Sequence, residues 1–135
     1  MSVLRTAIYD KFKADSLSPL YVDLGGTRLY YYEALQTPTY PYCVFSFLNE
    51  DFNFTFAEKF ERTMVQFDYF SDKQSPDECD DGVADIKTMF DWATLSISGF
   101  LFLEMERQFS LPARKIQSEN VWQGIVRYII LAQDT

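Results

Sequence analysis

Residues 62–71 alternate between apolar and polar side chains more regularly than any other part of the chain. Alternation with a period of two predicts a β-strand that buries one face. One face would carry Thr63, Val65, Phe67 and Tyr69, and the other Arg62, Met64, Gln66 and Asp68. This strand is the clearest element that the pattern predicts.

Five other runs predict strands. Residues 42–48 are almost continuously apolar and predict a strand covered on both faces, whereas residues 121–132 are rich in β-branched side chains and predict a central strand. Residues 20–24 and 27–32 flank Gly25-Gly26, which is typical of a tight hairpin. Residues 100–109 begin apolar and become polar, which predicts a strand whose far end projects.

Two amphipathic helices are predicted. In residues 3–14 the apolar positions recur at helical spacing. The second begins at Ser75-Pro76-Asp77-Glu78, where serine would cap the helix, proline would occupy the first position and the glutamate would complete a capping box. Its inner stripe would be Cys79, Val83, Ile86, Phe90 and Ala93, and Ser98-Gly99 would end it.

This order of elements predicts a single α+β domain over residues 1–135. We expect a mainly antiparallel sheet of four or five strands with two helices packed on one face, leaving the Met64 and Gln66 face exposed or covered by another subunit. Residues 111–120 combine turn residues and charge with little periodicity, which predicts a mobile loop.

Composition narrows the possible functions. Twelve basic and twenty acidic residues give a net charge of -8, which disfavours a dedicated nucleic-acid binder. The sequence contains no histidine, so histidine-dependent catalytic sites and histidine-bearing zinc sites are excluded. Aromatic residues make up 18%, a content typical of large buried strand faces or of a surface that binds a partner.

Cys43 and Cys79 are too far apart for a C-x-x-C motif, and no basic and apolar leader opens the sequence. We therefore expect a cytoplasmic chain with free thiols. No apolar stretch is long enough for a membrane helix.

Candidate chemistry is sparse. The acidic cluster of residues 77–81 is explained by a helix N-terminus, where the dipole favours negative charge, and we predict no metal site and no cofactor. Glu104 and Glu106 share a strand face and would serve as paired carboxylates only inside a cleft. They leave open a small ligand-binding or enzymatic domain as an alternative.

Phenylalanines in residues 49–60 alternate with acidic residues, as in a long hairpin arm. They either extend the core or anchor in a neighbouring subunit. From this pattern we predict a subunit interface at Phe52, Phe54, Phe56, Phe60, Met64 and Gln66, along the arm and the exposed edge of the strand at residues 62–71. A second contact surface is predicted at Arg107, Arg114 and Lys115.

Several local signatures accompany this order of elements. They are the amphipathic residues 4–12, the segments Arg28-Leu29-Tyr30, Tyr40-Pro41-Tyr42-Cys43-Val44-Phe45 and Thr63-Met64-Val65-Gln66-Phe67-Asp68-Tyr69-Phe70-Ser71, the capped helix, and Trp122-Gln123-Gly124-Ile125-Val126-Arg127-Tyr128. Over nearly the whole chain the sequence resembles the small tail-terminator or tail-completion proteins of long-tailed bacteriophages.

The resemblance implies a non-enzymatic virion protein of the tail or neck, assembled in the host cytoplasm. Such proteins form a ring of six copies on the tail tube, stop its growth, and dock the head through a connector or stopper protein, so the tube or head would contact Arg107, Arg114 and Lys115 here. DNA would pass through an acidic lumen without specific binding. A head-completion protein, a minor tail protein, and an adaptor or assembly chaperone are the alternatives.

Overall fold

The computed structural model describes residues 2–54 and 59–134, with side chains of residues 49–60 outside the description. It contains α1 (Ser2–Lys13), α2 (Pro19–Asp23), β1 (Leu29–Tyr31), β2 (Tyr42–Phe54), β3 (Lys59–Ser71), α3 (Asp77–Phe90), β4 (Phe100–Ile116) and β5 (Val121–Asp134). The strands form one sheet in the order β1-β2-β3-β5-β4. All neighbours are antiparallel except β1 and β2, which are parallel. The predicted α+β fold with a mainly antiparallel sheet is confirmed.

The helices cover one face of this sheet. The alternation in β3 is confirmed, because Thr63, Val65, Phe67 and Tyr69 are all buried beneath the helices. Phe90 of α3 stacks on Phe67 with ring centroids 4.6 Å apart, and Tyr9 of α1 meets Phe45 of β2 edge-on at 5.3 Å. The core therefore lies between the helices and the inner sheet face.

The predicted hairpin around Gly25-Gly26 is wrong. Pro19 starts a short helix instead, and Leu20 and Leu24 reach the core one turn apart. Gly25 and Gly26 have φ angles of 61° and 75° and terminate α2, where Gly26 N–H donates to the Tyr21 carbonyl at 2.9 Å. The chain then enters β1 parallel to β2, so the described residues contain three helices and not the two predicted.

The ends of α3 also differ from prediction. Ser75 Oγ accepts from the Asp77 N–H at 3.2 Å, but Glu78 accepts from the buried Ser71 hydroxyl at 2.7 Å and forms no capping box. The helix ends at Phe90, not at Ser98-Gly99, and Trp92 has a φ of 54°. Ala93 is buried as predicted, but it lies beyond the helix in an extended segment.

The predicted mobile loop at residues 111–120 is wrong as well. β4 continues through Pro112 to Ile116, and a short turn leads into β5. A register shift between Leu111 and Arg114 accommodates the proline, which an edge strand tolerates because one side of its backbone has no neighbour. β4 pairs with β5 from Phe100 to Ile116, so its far end does not project. β5 is central as predicted.

Candidate interaction surface

The sheet face opposite the helices, here called the open face, carries side chains that are mostly half-buried. Its apolar members come from all five strands and include Tyr30, Tyr42, Val44, Met64, Phe70, Phe109, Leu111, Ile125, Ile129 and Leu131. Apolar area of this extent on a single sheet face is typical of an interaction surface.

A row of hydrogen-bonded polar side chains crosses the middle of the open face. Arg127 donates to Gln66 Oε1 through Nε at 3.2 Å and through its terminal nitrogen at 2.7 Å. Asp68 Oδ1 accepts from Gln66 Nε2 at 3.1 Å and from Gln123 Nε2 at 3.3 Å. The Arg127 guanidinium lies 4.5 Å from the Phe109 ring centroid. These contacts hold the polar groups in a fixed arrangement.

Within this row, the carboxyl of Asp68 is subject to opposing effects on its pKa. Burial raises the pKa of its carboxyl, while hydrogen bonds from Gln66 and Gln123 and the charge of Arg127 lower it. The neighbours therefore offset part of the desolvation cost of the carboxylate.

The described side chains of the open face are balanced in charge. By register and alternation they include the carboxylates Asp68, Glu104 and Glu106 and the cations Arg62, Arg114 and Arg127. The chain as a whole has a net charge of -8. In α3, five acidic residues stand against the single cation Lys87. Two copies would repel each other less through their open faces than through α3.

Met64 and Gln66 lie on the open face, as the sequence predicts. However, β3 runs between β2 and β5, so the predicted exposed edge of this strand does not exist. The backbones of Phe52, Phe54 and Phe60 continue the β2–β3 hairpin, with Phe54 opposite Lys59. The side chains of these phenylalanines lie outside the described residues, as does the whole of Phe56.

The second predicted surface is dispersed along β4. Arg107 approaches Asp91 at the end of α3, with Nε 3.7 Å from Oδ1. Arg114 and Lys115 lie near the opposite end of the strand, where Lys115 Nζ is 5.6 Å from the centroid of the Trp122 ring. The structure does not gather these three cations into one site.

The carboxylates and thiols that the sequence offers as candidate chemistry lie in different environments. Glu104 and Glu106 share the open face as predicted, but both side chains are exposed. Cys43 and Cys79 are buried and free, and burial raises the pKa of both thiols, that of Cys79 to about 12. Within residues 2–54 and 59–134, no three Cys, Asp or Glu side chains form a group that could hold a metal ion.

One pair of interacting carboxyls is not predicted from the sequence. Asp23 at the end of α2 and Asp85 on α3 are hydrogen-bonded to each other. Burial, this hydrogen bond, and the charges of Asp23 and Asp81 raise the pKa of Asp85 to about 7. The two residues are far apart in the chain, and no sequence motif joins them.

Comparison with known proteins supports the architecture. No protein-family model matches the chain, and no curated protein matches it. A chain of the solved structure described as the virion of a native gene transfer agent particle is similar, with a TM-score of 0.75 and 16% identity over 96% of this chain and 94% of that one. At this identity the likeness shows a shared fold. In the described part of the chain, no helix has the length and apolar character needed to cross a membrane.

Proposed function

We propose that this chain is a structural protein of a bacteriophage-like virion, and specifically a tail terminator of the neck. The observation that carries the proposal is the fold shared with a chain of a gene transfer agent virion, which extends over nearly the full length of both chains. The finer assignment is supported by the resemblance of the local sequence signatures to those of tail-terminator proteins.

The surface chemistry supports a role in assembly. The open face presents apolar side chains around a prearranged polar row, and the candidate carboxylates Glu104 and Glu106 are exposed to solvent. A surface of this kind suits a protein whose activity is to bind other subunits. We propose no enzymatic activity and no cofactor.

In the proposed assembly, six copies form a ring on the end of the tail tube. The ring stops tube growth and docks the head through a connector or stopper protein, with Arg107, Arg114 and Lys115 as the proposed contacts to tube or head. DNA passes through the lumen without specific binding. The acidic residues of the chain would disfavour adhesion of the genome to the ring wall.

Electron microscopy of lysates after disruption of the gene tests the role. Overlong tails beside unattached, filled heads are expected for a terminator. Tails of normal length beside empty or leaking heads would move the assignment to head completion. Normal infectious particles would overturn a virion role.

The proposed phenylalanine anchors have their own test. Phe54→Ser with Phe56→Ser should leave the monomer folded but unable to form rings, because the variant removes aromatic anchors from the interface. Leu17→Ser is the matched control, since Leu17 is 85% exposed on the helical side. Loss of the fold in the phenylalanine variant would assign those residues to the core.

A further inference from the structure

The free edges of the sheet lie on β4 and on part of β2, and not on the strand at residues 62–71 as the sequence predicts. β4 has a strand neighbour only in β5 within the described residues. At the other side of the sheet, β1 pairs with only residues 43–45 of β2. Residues 46–54 of β2 therefore have a strand neighbour only in β3, again among the residues that the structure describes.

We propose that copies of this chain join edge to edge, with the first half of β4 in one copy pairing with residues 48–54 of β2 in the next. This inference deepens the proposed ring and rests on it for the number of copies. The occupant of each edge is thus a second copy of this chain.

Strand directions favour this pairing. β2 is antiparallel to β3, β3 to β5 and β5 to β4, so β4 runs antiparallel to β2. A second copy placed beside the first in the same orientation therefore presents an antiparallel strand to the free edge. The two sheets then continue each other with their open faces on the same side.

The two free segments also lie at the same height. Phe52 pairs with Glu61, Glu61 with Ala132, and Ala132 with Phe102, which defines one row across the sheet. A second row connects Phe47 through Val65 and Tyr128 to Arg107. The free residues 48–52 of β2 thus lie within the span of rows that residues 102–107 of β4 occupy.

Both edges are blocked in their other halves. On β2, β1 covers residues 43–45, and the Tyr32 hydroxyl donates to the Phe47 carbonyl at 3.1 Å. The second half of β4 contains Pro112, whose backbone nitrogen has no hydrogen to donate to an added strand. Register shifts occur in both halves of β4 and between Phe47 and Asn49 of β2, so the proline is what distinguishes the second half of β4.

The unblocked halves expose leucines. Leu101 and Leu103 of β4 are 53% and 39% exposed, and Leu48 of β2 is 45% exposed. Pairing of the two edges would bring apolar side chains of neighbouring copies towards each other and remove them from water. Because one edge meets a different edge, the contact is head-to-tail and closes into a ring when the rotation per copy allows it.

The first test is the oligomeric state of the full chain over a wide concentration range, by sedimentation velocity. Leu101→Lys with Leu103→Lys should abolish oligomers, because it places two charges on the free half of β4. Leu17→Lys with Val22→Lys is the matched control: it also places two lysines at exposed apolar positions, 85% and 61% exposed, but on the helical side, and it should assemble like the wild type. Oligomers that survive the double variant, or a chain that stays monomeric throughout, would overturn the proposal.

A second test uses disulfide trapping between two variants. Leu101→Cys mixed with Asn53→Cys should give the mixed disulfide, because residues 53 and 101 lie in the same row of the sheet. The native thiols are buried and add little background. A dominant Leu101→Cys homodimer would indicate twofold pairing of β4 strands and overturn the head-to-tail arrangement.

These outcomes are separable from the virion role. Trapped head-to-tail oligomers together with normal particles after gene disruption would contradict the proposed function and retain the edge pairing. Overlong tails together with the absence of the mixed disulfide would retain the function and place the ring joint elsewhere, for example on the open face.

Discussion

The backbone N–H of Ala113 in β4 donates a hydrogen bond to Asp80 Oδ1 of α3 at 2.9 Å. The bond connects residues that are 33 positions apart and meets β4 at the register shift beside Pro112. It satisfies a donor that the irregular strand geometry leaves available, and so holds the second half of β4 against the start of α3.

Asp80→Ala is expected to loosen this half of β4. Loss of the bond should lower the free energy of unfolding by about 1 kcal/mol and speed amide hydrogen exchange in residues 111–116. Asp77→Ala is the control, because it also removes a first-turn carboxylate from α3. Equal exchange rates in the two variants would show that the helix N-terminus, and not the bond to Ala113, is responsible.

Gly124→Ala should destabilise the contact between β5 and α3. A Cβ at residue 124 would lie 2.2 Å from Val83 Cγ2, which is far inside van der Waals contact. We expect a loss of roughly 1–3 kcal/mol in urea unfolding, the range typical of overpacked cores. In the Gly124→Ala/Val83→Ala double variant, Val83→Ala should lower the free energy of unfolding by less than it does in the wild type. The reason is that it removes the methyl groups that clash with the new Cβ. Additive losses would contradict this packing.

Asp85→Asn should flatten the dependence of stability on pH. The pKa of Asp85 is about 7 in the folded chain, above its ordinary value of 3.8. Between these values the folded state holds a proton that the unfolded state releases, so the wild-type free energy of unfolding falls as pH rises from about 4 to about 7. An asparagine cannot titrate, and the variant should lose this part of the slope. Urea unfolding across this pH range, with Asp77→Asn as the control, measures the effect; parallel curves for wild type and Asp85→Asn would contradict it.

Cys43 and Cys79 should react slowly with thiol reagents in the folded chain. Both side chains are buried, burial raises the pKa of both thiols, and Cys79 Sγ contacts the Tyr69 carbonyl oxygen at 3.7 Å. Reaction with a chromogenic disulfide at neutral pH should therefore be limited by opening of the structure. Rapid modification of either thiol without loss of tertiary structure would contradict the assignment of both to the core.

Local pattern was sufficient where burial follows the period of the element. The alternation from Thr63 to Tyr69 predicts the inner face of β3, and the stripe from Cys79 to Phe90 predicts the inner face of α3. Both predictions hold because a strand or helix with one apolar face can bury it in only one orientation. The central place of β5 follows in the same way from its β-branched side chains.

Pattern failed where distant partners decide the conformation. Residues 111–116 have no clear period, yet pairing with β5 and the bond from Ala113 to Asp80 make them a strand. Residues 20–24 are predicted as a strand from their apolar character, but a short helix from Pro19 places both Leu20 and Leu24 in the core. In both segments, tertiary contacts outweigh weak local preference.

The sequence by itself determined the α+β class, the buried faces of the clearest elements, the excess of acidic residues and the lack of histidine chemistry. Each of these depends on residue type and short-range spacing, which the linear chain contains in full. Only the tertiary structure decided the strand order, which makes β3 central and leaves the free edges on β2 and β4, and the meeting of Asp23 with Asp85. Those relationships join residues that are far apart in the sequence. Many strand pairings are compatible with the same local pattern, and the packing of the whole core determines which pairing forms.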